Sequence, residues 1–358
     1  MSCRQAWLYI GCALVTAACA GSPPDPDNPP QRLSDWGVLH QDGNALTLAA
    51  GTFAYSLRTP LFSDYAEKLR TVSMPEGTRA AWAGDAVFEF PVGTIISKTF
   101  FYSIKDGQRV ARDTPYMADG IKALNTESAW LVETRLLVRA ASGWIALPYV
   151  WNDAQDEAYL NITGELMRFD VRTPDGVVQP ANYLIPSRNQ CASCHARRNS
   201  GGIHPIGPKA WNVDLAHWRG LGRLVIDSAM TDSPMTDDRE LPHARRYLDV
   251  NCAHCHSDEG AGDTSGLFLG VSETDPIRLG VCKRTIAAGQ GTGGHTYGIV
   301  PGNASASILI YRMNTGNPAE MMPEIGRSLV HSAGVSLISE WISDMPDQCA
   351  PASSGSSL

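Results

Sequence analysis

The chain has 358 residues, a formal net charge of −8 and an apolar fraction of 43%. That is enough for two or three domains with their own cores, and it excludes a fibrous or wholly disordered polymer. Lys and Arg are interspersed with Asp and Glu, so there is no basic footprint for nucleic acid; an acidic exterior suits solubility and a basic redox partner.

Residues 1–20 read as a targeting segment. Arg4 supplies the positive end, and Ala6 to Ala18 form an apolar core shorter than the roughly 20 residues of a spanning helix. Two cleavage readings stand side by side. Val15-Thr16-Ala17-Ala18-Cys19 fits a loose lipobox in which a lipidated Cys19 becomes the first mature residue; ordinary cleavage after Ala18-Cys19-Ala20 is the alternative. Both place the protein outside the cytoplasm, in the periplasm or at the outer envelope, with membrane contact only through a lipid on Cys19. Residues 21–35 contain Pro23, Pro24, Pro26, Pro29 and Pro30 and read as an extended tether.

Residues 36–185 read as an antiparallel β domain. Ala86 to Phe90 and Thr94 to Tyr102 are rich in β-branched and aromatic residues, and Asp106-Gly107 supplies a turn. The clearest hairpin runs from Trp130 to Arg139, turns at Ala141-Ser142-Gly143, and returns over Trp144 to Trp151. Trp130, Val132, Thr134, Leu136 and Val138 share one face, while Glu133, Arg135 and Arg139 share the other, an alternation expected of a half-buried strand.

Beyond Pro186 the texture suggests helices separated by Gly- and Pro-rich loops. The expectation is an α+β multidomain chain in which mainly α modules follow the β domain, a first over 186–240 and a second over 241–349. Leu241 to Val250 leads into the second module, and Val335, Ile338, Trp341 and Ile342 mark one helical face before Pro346. Residues 350–358 read as a flexible tail.

The chemistry lies in Cys191-Ala192-Ser193-Cys194-His195 and Cys252-Ala253-His254-Cys255-His256. Two thiols three positions apart can each add across a haem vinyl group while the following imidazole binds the iron. Two such runs behind an export signal point to two covalently bound haem c groups, held by Cys191, Cys194 and His195 and by Cys252, Cys255 and His256. Paired Cys-x-x-Cys motifs that share a zinc usually lie about 15–20 residues apart, far closer than Cys191 and Cys252, and zinc leaves the His behind each pair unexplained. A thioredoxin-like pair needs one motif in a βαβ setting.

For the second haem, Met322 before Pro323 is the expected distal thioether ligand, placed as in a class I cytochrome c, so the module over 241–349 is expected to be class I cytochrome c-like; Met321 is the near alternative, and both could instead be core filler. For the first, His204, His217, Met230, Met235 and Met167 are all candidates, and so is an open iron. His254 reads as a filler between the cysteines. Gly289 to Gly294 lacks the strand and the Lys-Ser/Thr ending of a phosphate loop. Cys282 and Cys349, the remaining mature pair, are expected to close a disulfide in an oxidising compartment.

The chain resembles a family of exported bacterial di-haem c-type cytochromes of unsettled physiological role. The resemblance covers about Ala54 to Trp341. It rests on Pro60 to Ala66, Phe90 to Thr94, Glu133 to Arg139, Tyr149 to Asn152, Ile185-Pro186 with Gln190-Cys191, Gly207-Pro208-Lys209, Asn251 to His256, Ile299 to Gly302 and Met321 to Arg327. It implies haem at both Cys-x-x-Cys-His runs, Met322 as second ligand, and an exported β-helix protein as a partner. The reading that follows is electron transfer between a redox donor and an acceptor protein. Electrons would enter at the His195 haem and leave at the His256–Met322 haem, with the β domain docking a partner or shielding a haem edge. The rivals are a haem enzyme, peroxidase or small-substrate oxidoreductase, with an open first iron, and a redox or gas sensor.

Overall fold

The computed structural model describes residues 24–226, 242–346 and Cys349, apart from positions 83, 85, 199, 287 and 288. The targeting segment with Cys19, the candidates Met230 and Met235, and the tail lie outside the described residues. Among the described residues no helix is long and apolar enough to cross a membrane.

The chain is mostly β. A small antiparallel sheet joins β1 (Leu39–Asp42), β2 (Ala45–Leu48) and β8 (Ala123–Asn125). A nine-stranded sheet contains β3 (Thr52–Tyr55), β4 (Glu67–Ser73), β6 (Ile95–Lys105), β7 (Gln108–Val110), β9 (Ala129–Ala140), β10 (Gly143–Trp151), β11 (Ala158–Leu160), β12 (Glu165–Arg172) and β13 (Val178–Ile185). Its spine is β6. On one side it pairs with β9, which continues to β10 and β11; on the other, β4 takes its first half and β7 its end. Asp106 and Gly107, both at positive φ (51° and 72°), make the two-residue turn between β6 and β7. The expected Trp130–Trp151 hairpin is β9 and β10, in register from Ala140↔Gly143 to Glu133↔Val150.

The alternation on β9 is not half-exposed, because both faces are covered. A register shift opposite Phe100 and Phe101 puts Leu131 with Leu136 and Val138 on one face, against the small sheet and Trp36, so Trp130 and Val132 do not share that face as the alternation predicts. The other carries Glu133, which is fully buried and accepts from the Tyr183 hydroxyl at 2.8 Å and from Arg135. Ala86 to Phe90 forms only isolated bridges at Val87 and Glu89. The last part of the proline-rich stretch is docked: Leu33 and Trp36 are buried, and Arg32 pairs with Glu157 at 2.9 Å.

The mainly α modules expected beyond Pro186 are not found, and the second is not a mainly helical cytochrome c-like unit. Among the described residues only five short α-helices form: α1 (Cys191–His195), α2 (Leu215–Gly220), α3 (His243–Leu248), α4 (Ile308–Asn314) and α5 (Ser332–Ser343). The rest of the described chain there is turns, short 3₁₀ segments, one π turn, a two-residue strand and isolated bridges. The physical reason is punctuation: Gly201-Gly202, Pro205, Gly207-Pro208, Pro276, Pro301-Gly302 and Pro318 break up the stretches between the helices. What holds this half is packing. Ile338 and Ile342 on α5 meet Leu248 on α3 and Ile310 on α4 in one core, and Trp218 on α2 sits among Phe53, Tyr55 and Phe88. A parallel pair, β5 (Ala80–Ala81) with β14 (Leu224–Val225), ties the chain after the first motif back to the β domain. Cys282 and Cys349 form the expected disulfide, closing 67 residues.

A buried carboxylate fastens the two halves. Asp64, 1% exposed, accepts from the Ser328 and Leu329 amides at 2.6 and 2.7 Å and from the Ser328 hydroxyl at 3.0 Å. Asp64→Ala leaves those donors buried without a partner, which should cost about 3 kcal/mol in denaturant unfolding of the intact protein. Opening the Cys282–Cys349 bridge by Cys282→Ser should cost about 2–4 kcal/mol in the same assay.

Candidate functional site at the two Cys-x-x-Cys-His turns

The first motif is a single helical turn set by its own flanks. Ser187 and Gln190 form a reciprocal cap, Ser187 N–H donating to Gln190 Oε1 at 2.9 Å and Gln190 N–H to Ser187 Oγ at 3.2 Å. Residues 201–208 then fold back on His195. His204 N–H donates to the His195 carbonyl at 2.8 Å, and His195 Nδ1 meets the His204 carbonyl at 2.7 Å. The imidazole is thereby oriented with Nδ1 as donor and Nε2 left for a metal, the arrangement usual for a ligating histidine.

The second motif continues α3 through a wider π-helical turn over Asp249–Ala253. Asp249 holds it by accepting from Lys209 Nζ at 2.5 Å and the Val271 amide at 2.9 Å. Asn251 holds it by accepting from Phe62 N–H at 2.8 Å. His256 Nδ1 lies 3.2 Å from Ser265 Oγ, so this imidazole too is tied on one nitrogen. Gly260 is required by close approach: a Cβ there would sit 2.2 Å from the Cys255 carbonyl, in the loop that delivers Ser265.

The two turns, distant in sequence, touch. Cys255 Sγ is 3.3 Å from the Ser193 carbonyl, and Arg198 N–H donates to Glu259 O at 2.9 Å. Ligating atoms of Cys194, His254 and Cys255 all lie within 4.8 Å of one another. A hydrogen bond from Cys255, with His254 and His195 nearby, pulls the Cys194 thiol well below its ordinary pKa, while donating to Cys194 and burial push Cys255 up. Burial raises Cys191, and takes Cys252 up to about 12. Burial also lowers both His195 and His256 to about 4, so both imidazoles are neutral and able to ligate at neutral pH. All four motif thiols are free.

A cavity of about 160 Å³ lies against the first turn, lined by Cys191, Cys194, His195 and His254, by apolar residues such as Leu61, Ile96 and Val250, and by Arg70, Lys98 and Arg135 of the sheet. Pro323, Ile325 and Gly326 close it. Met322 is thus next to the first motif's cavity as well as in the second motif's half; its amide donates to Arg312 O at 2.9 Å, its side chain is half-buried, and Met321 is buried. None of His204, His217 and Met167 lines the cavity. The His204 ring meets Ser200 Oγ at 2.9 Å, His217 Nε2 meets the Ala54 carbonyl at 3.1 Å, and Met167 packs beside Tyr183 and Phe169. His254, a filler by sequence, has a buried Nδ1 with no hydrogen-bond partner among the described residues. Its position between the cysteines gave no signal of that. No protein-family model matches the chain, and no curated protein or solved structure is significantly similar to it.

A larger cleft of about 810 Å³ adjoins the cavity and shares Arg70, Leu61 and Phe62 with it. His331 lines this cleft, stacked on Phe62 (4.3 Å, 9°) with Nδ1 3.0 Å from the Tyr247 hydroxyl. Burial, aided by the Lys68 charge, depresses its pKa to about 4. The unfolded chain therefore binds the extra proton first, and the contribution of His331 is lost as pH falls from about 6.5 towards 4. His331→Phe should flatten the acid limb of the stability–pH curve over that window, a difference on the order of 2 kcal/mol in denaturant titrations at pH 7 and pH 4.

Proposed function

We propose that the protein is an exported di-haem c-type cytochrome that passes electrons between a donor and an acceptor protein, as the resemblance of its motifs implies. The observation that carries this reading is the contact between the two Cys-x-x-Cys-His turns, since groups attached there would lie side by side. The donor set fits haem: four free thiols in two pairs, each followed by a neutral imidazole whose Nδ1 is tied. The Cys282–Cys349 bridge supports an oxidising compartment. Bound haem would supply the one-electron chemistry of its iron.

The residues of the chain then have separable tasks. Cys191 and Cys194 on α1, Cys252 on the π turn and Cys255 just beyond it would anchor the haems; His195 and His256 would ligate through Nε2; the His204 carbonyl and Ser265 hydroxyl fix the ring planes. Met322 is the second ligand proposed for the His256 side. With haem held at both turns, electrons would enter on the His195 side and leave on the His256 side, following the higher potential expected of His–Met ligation; reversed midpoint potentials would overturn that direction. The described residues offer no distal side chain for His195 from the histidines expected by sequence, so an open first iron is the enzyme or sensor form of the same reading.

A second reading is favoured by one specific observation, the convergence of Cys194, His254 and Cys255 within 4.8 Å. Two sulfurs and a nitrogen with a free fourth position suit a zinc ion. The two readings exclude each other, because a sulfur bonded to a vinyl carbon is no longer a thiolate.

Covalent haem on the full-length protein, made in a host that matures c-type cytochromes, decides between them. Two haems per chain by denatured-state mass and by pyridine spectrum are expected. Cys191→Ala with Cys194→Ala, and Cys252→Ala with Cys255→Ala, should each leave one. Stoichiometric zinc without covalent haem, lost in His254→Ala, would establish the second reading. Carbon monoxide added to the reduced protein should leave the visible spectrum unchanged if both irons are six-coordinate, and shift about half of it if the first is open.

A further inference from the structure

The inner face of the nine-stranded sheet places three cations directly opposite one another. Arg70 on β4 pairs in register with Lys98 on β6, and Lys98 with Arg135 on β9. Like charges at directly opposed positions destabilise a sheet. Lys68, two residues before Arg70 on the same face, adds a fourth. Arg70 and Lys68 are each only 5% exposed. One carboxylate answers this group: Glu133, held by Arg135. Among the described residues no acid lies within ion-pair distance of Lys68, Arg70 or Lys98. Their contacts are weak substitutes. Lys68 Nζ donates to the Ala66 carbonyl at 2.8 Å, Arg70 reaches the Lys68 carbonyl at 3.4 Å, and Lys68, Lys98 and Arg135 surround the Phe100 ring at 4.5–5.4 Å.

An unpaired buried charge is costly enough that proteins either neutralise it or bring it a partner. An arginine cannot shed its proton, and these side chains do not point into sealed protein. Arg70 and Lys98 line the cavity beside Cys191, Cys194 and His195, and Arg70 also lines the larger cleft, with Lys68. The missing negative charge therefore belongs to something that occupies this space.

We propose that the Arg70–Lys98–Arg135 ladder is an anion site whose ligand is an oxyanion or carboxylate seated in the space between the sheet and the first Cys-x-x-Cys-His turn. Two sources share that chemistry. One is the pair of propionates of a haem attached at Cys191 and Cys194, which rests on the di-haem reading. The other is a free oxyanion entering through the cleft, which does not.

The test uses the haem-loaded full-length protein, with Lys98→Met, Arg70→Gln and the charge-keeping Lys98→Arg. Thermal midpoints are measured in chloride buffer with and without inorganic phosphate, and covalent haem is counted in every sample. If the ladder holds an anion, Lys98→Met and Arg70→Gln lower the midpoint by about 3–6 °C, and Lys98→Arg restores most of the loss. A fall of the same size with and without phosphate, in protein carrying its haem, assigns the haem carboxylates. A wild-type midpoint that rises with phosphate, and does not rise in Lys98→Met, assigns a free oxyanion. If the ladder holds nothing, removing an unpaired buried charge relieves the fold, so a Lys98→Met midpoint that is unchanged or higher in both buffers overturns the proposal. So does a fall that neither phosphate nor haem content modulates and that Lys98→Arg does not rescue, since that is a packing effect. Protein without covalent haem would remove the first source and defeat the di-haem reading, while the phosphate comparison still decides the second.

Discussion

The organising constraint is that the inner face of β4, β6 and β9 is polar and yet covered. On the outer face the polar groups satisfy one another: Thr71 with Ser97 at 2.6 Å, Thr99 with Thr134 at 2.8 Å, and the Trp151 indole with Thr134 at 3.0 Å. That face can be closed by the small sheet and its apolar residues at little electrostatic cost. The inner face offers Lys68, Arg70, Lys98 and Arg135 against Glu133 alone. Whatever closes it must leave room for compensating charge, and the chain after Pro186 does so: Cys191, His195, Lys209, Val250 and His254 face Arg70, Lys98 and Arg135 across the cavity.

The same constraint explains how widely spaced segments come to bear on the two turns. Phe62 holds Asn251, Lys209 holds Asp249, and Asp64 holds Ser328 and Leu329. Arg327 donates from Nε to the Met322 carbonyl at 2.9 Å and from Nη2 to the Arg312 and Thr315 carbonyls. These are mostly side chains of one segment satisfying backbone groups of another. Such bonds are needed where short helices leave many carbonyls and amides without intrahelical partners. The half beyond Pro186 thus trades helix hydrogen bonds for tertiary ones, which makes it dependent on the sheet.

The β half was legible because its signals are local. The period of two on β9 and β10, the Asp106-Gly107 turn and the β-branched run of β6 each act within ten residues. The hairpin register matched to within a residue of its expected turn. Coverage was not legible. Glu133 and Arg135 alternate with Val132 and Thr134 as solvent-facing residues would, and only the later chain, through Tyr183 and the cavity wall, buries them. The helical expectation past Pro186 failed for a related reason. Runs such as His243 to Val250 and Val335 to Ile342 do form helix, but extending that character across the intervening segments ignored the Gly and Pro that break them up. At the site, each Cys-x-x-Cys-His run was plain in the sequence. Their contact with one another, the bonds that orient His195 and His256, and the placement of His254 were not: the contact joins residues 62 positions apart, and each orienting bond comes from a loop that returns nine residues later along a path the motif does not set.

That contact narrows the chemistry the site can perform. Cys194 and Cys255 are the cysteines that immediately precede the two histidines, and they are also the two that meet. A single ion bridging them would draw both motifs onto one centre and leave Cys191 and Cys252 as idle buried thiols, with neither imidazole of His195 or His256 in the ligand set. Thioether attachment instead uses all four sulfurs and both oriented imidazoles, and it leaves His254 at the junction. The oriented rings weigh in this comparison. A His204 carbonyl at 2.7 Å from Nδ1 fixes the tautomer that leaves Nε2 unprotonated, as a ligating histidine requires. The cation ladder opposite the same cavity adds an independent demand for bulk and negative charge in that space. A zinc ion at Cys194 brings positive charge and little volume; a carboxylate-bearing macrocycle brings both of the things the sheet lacks.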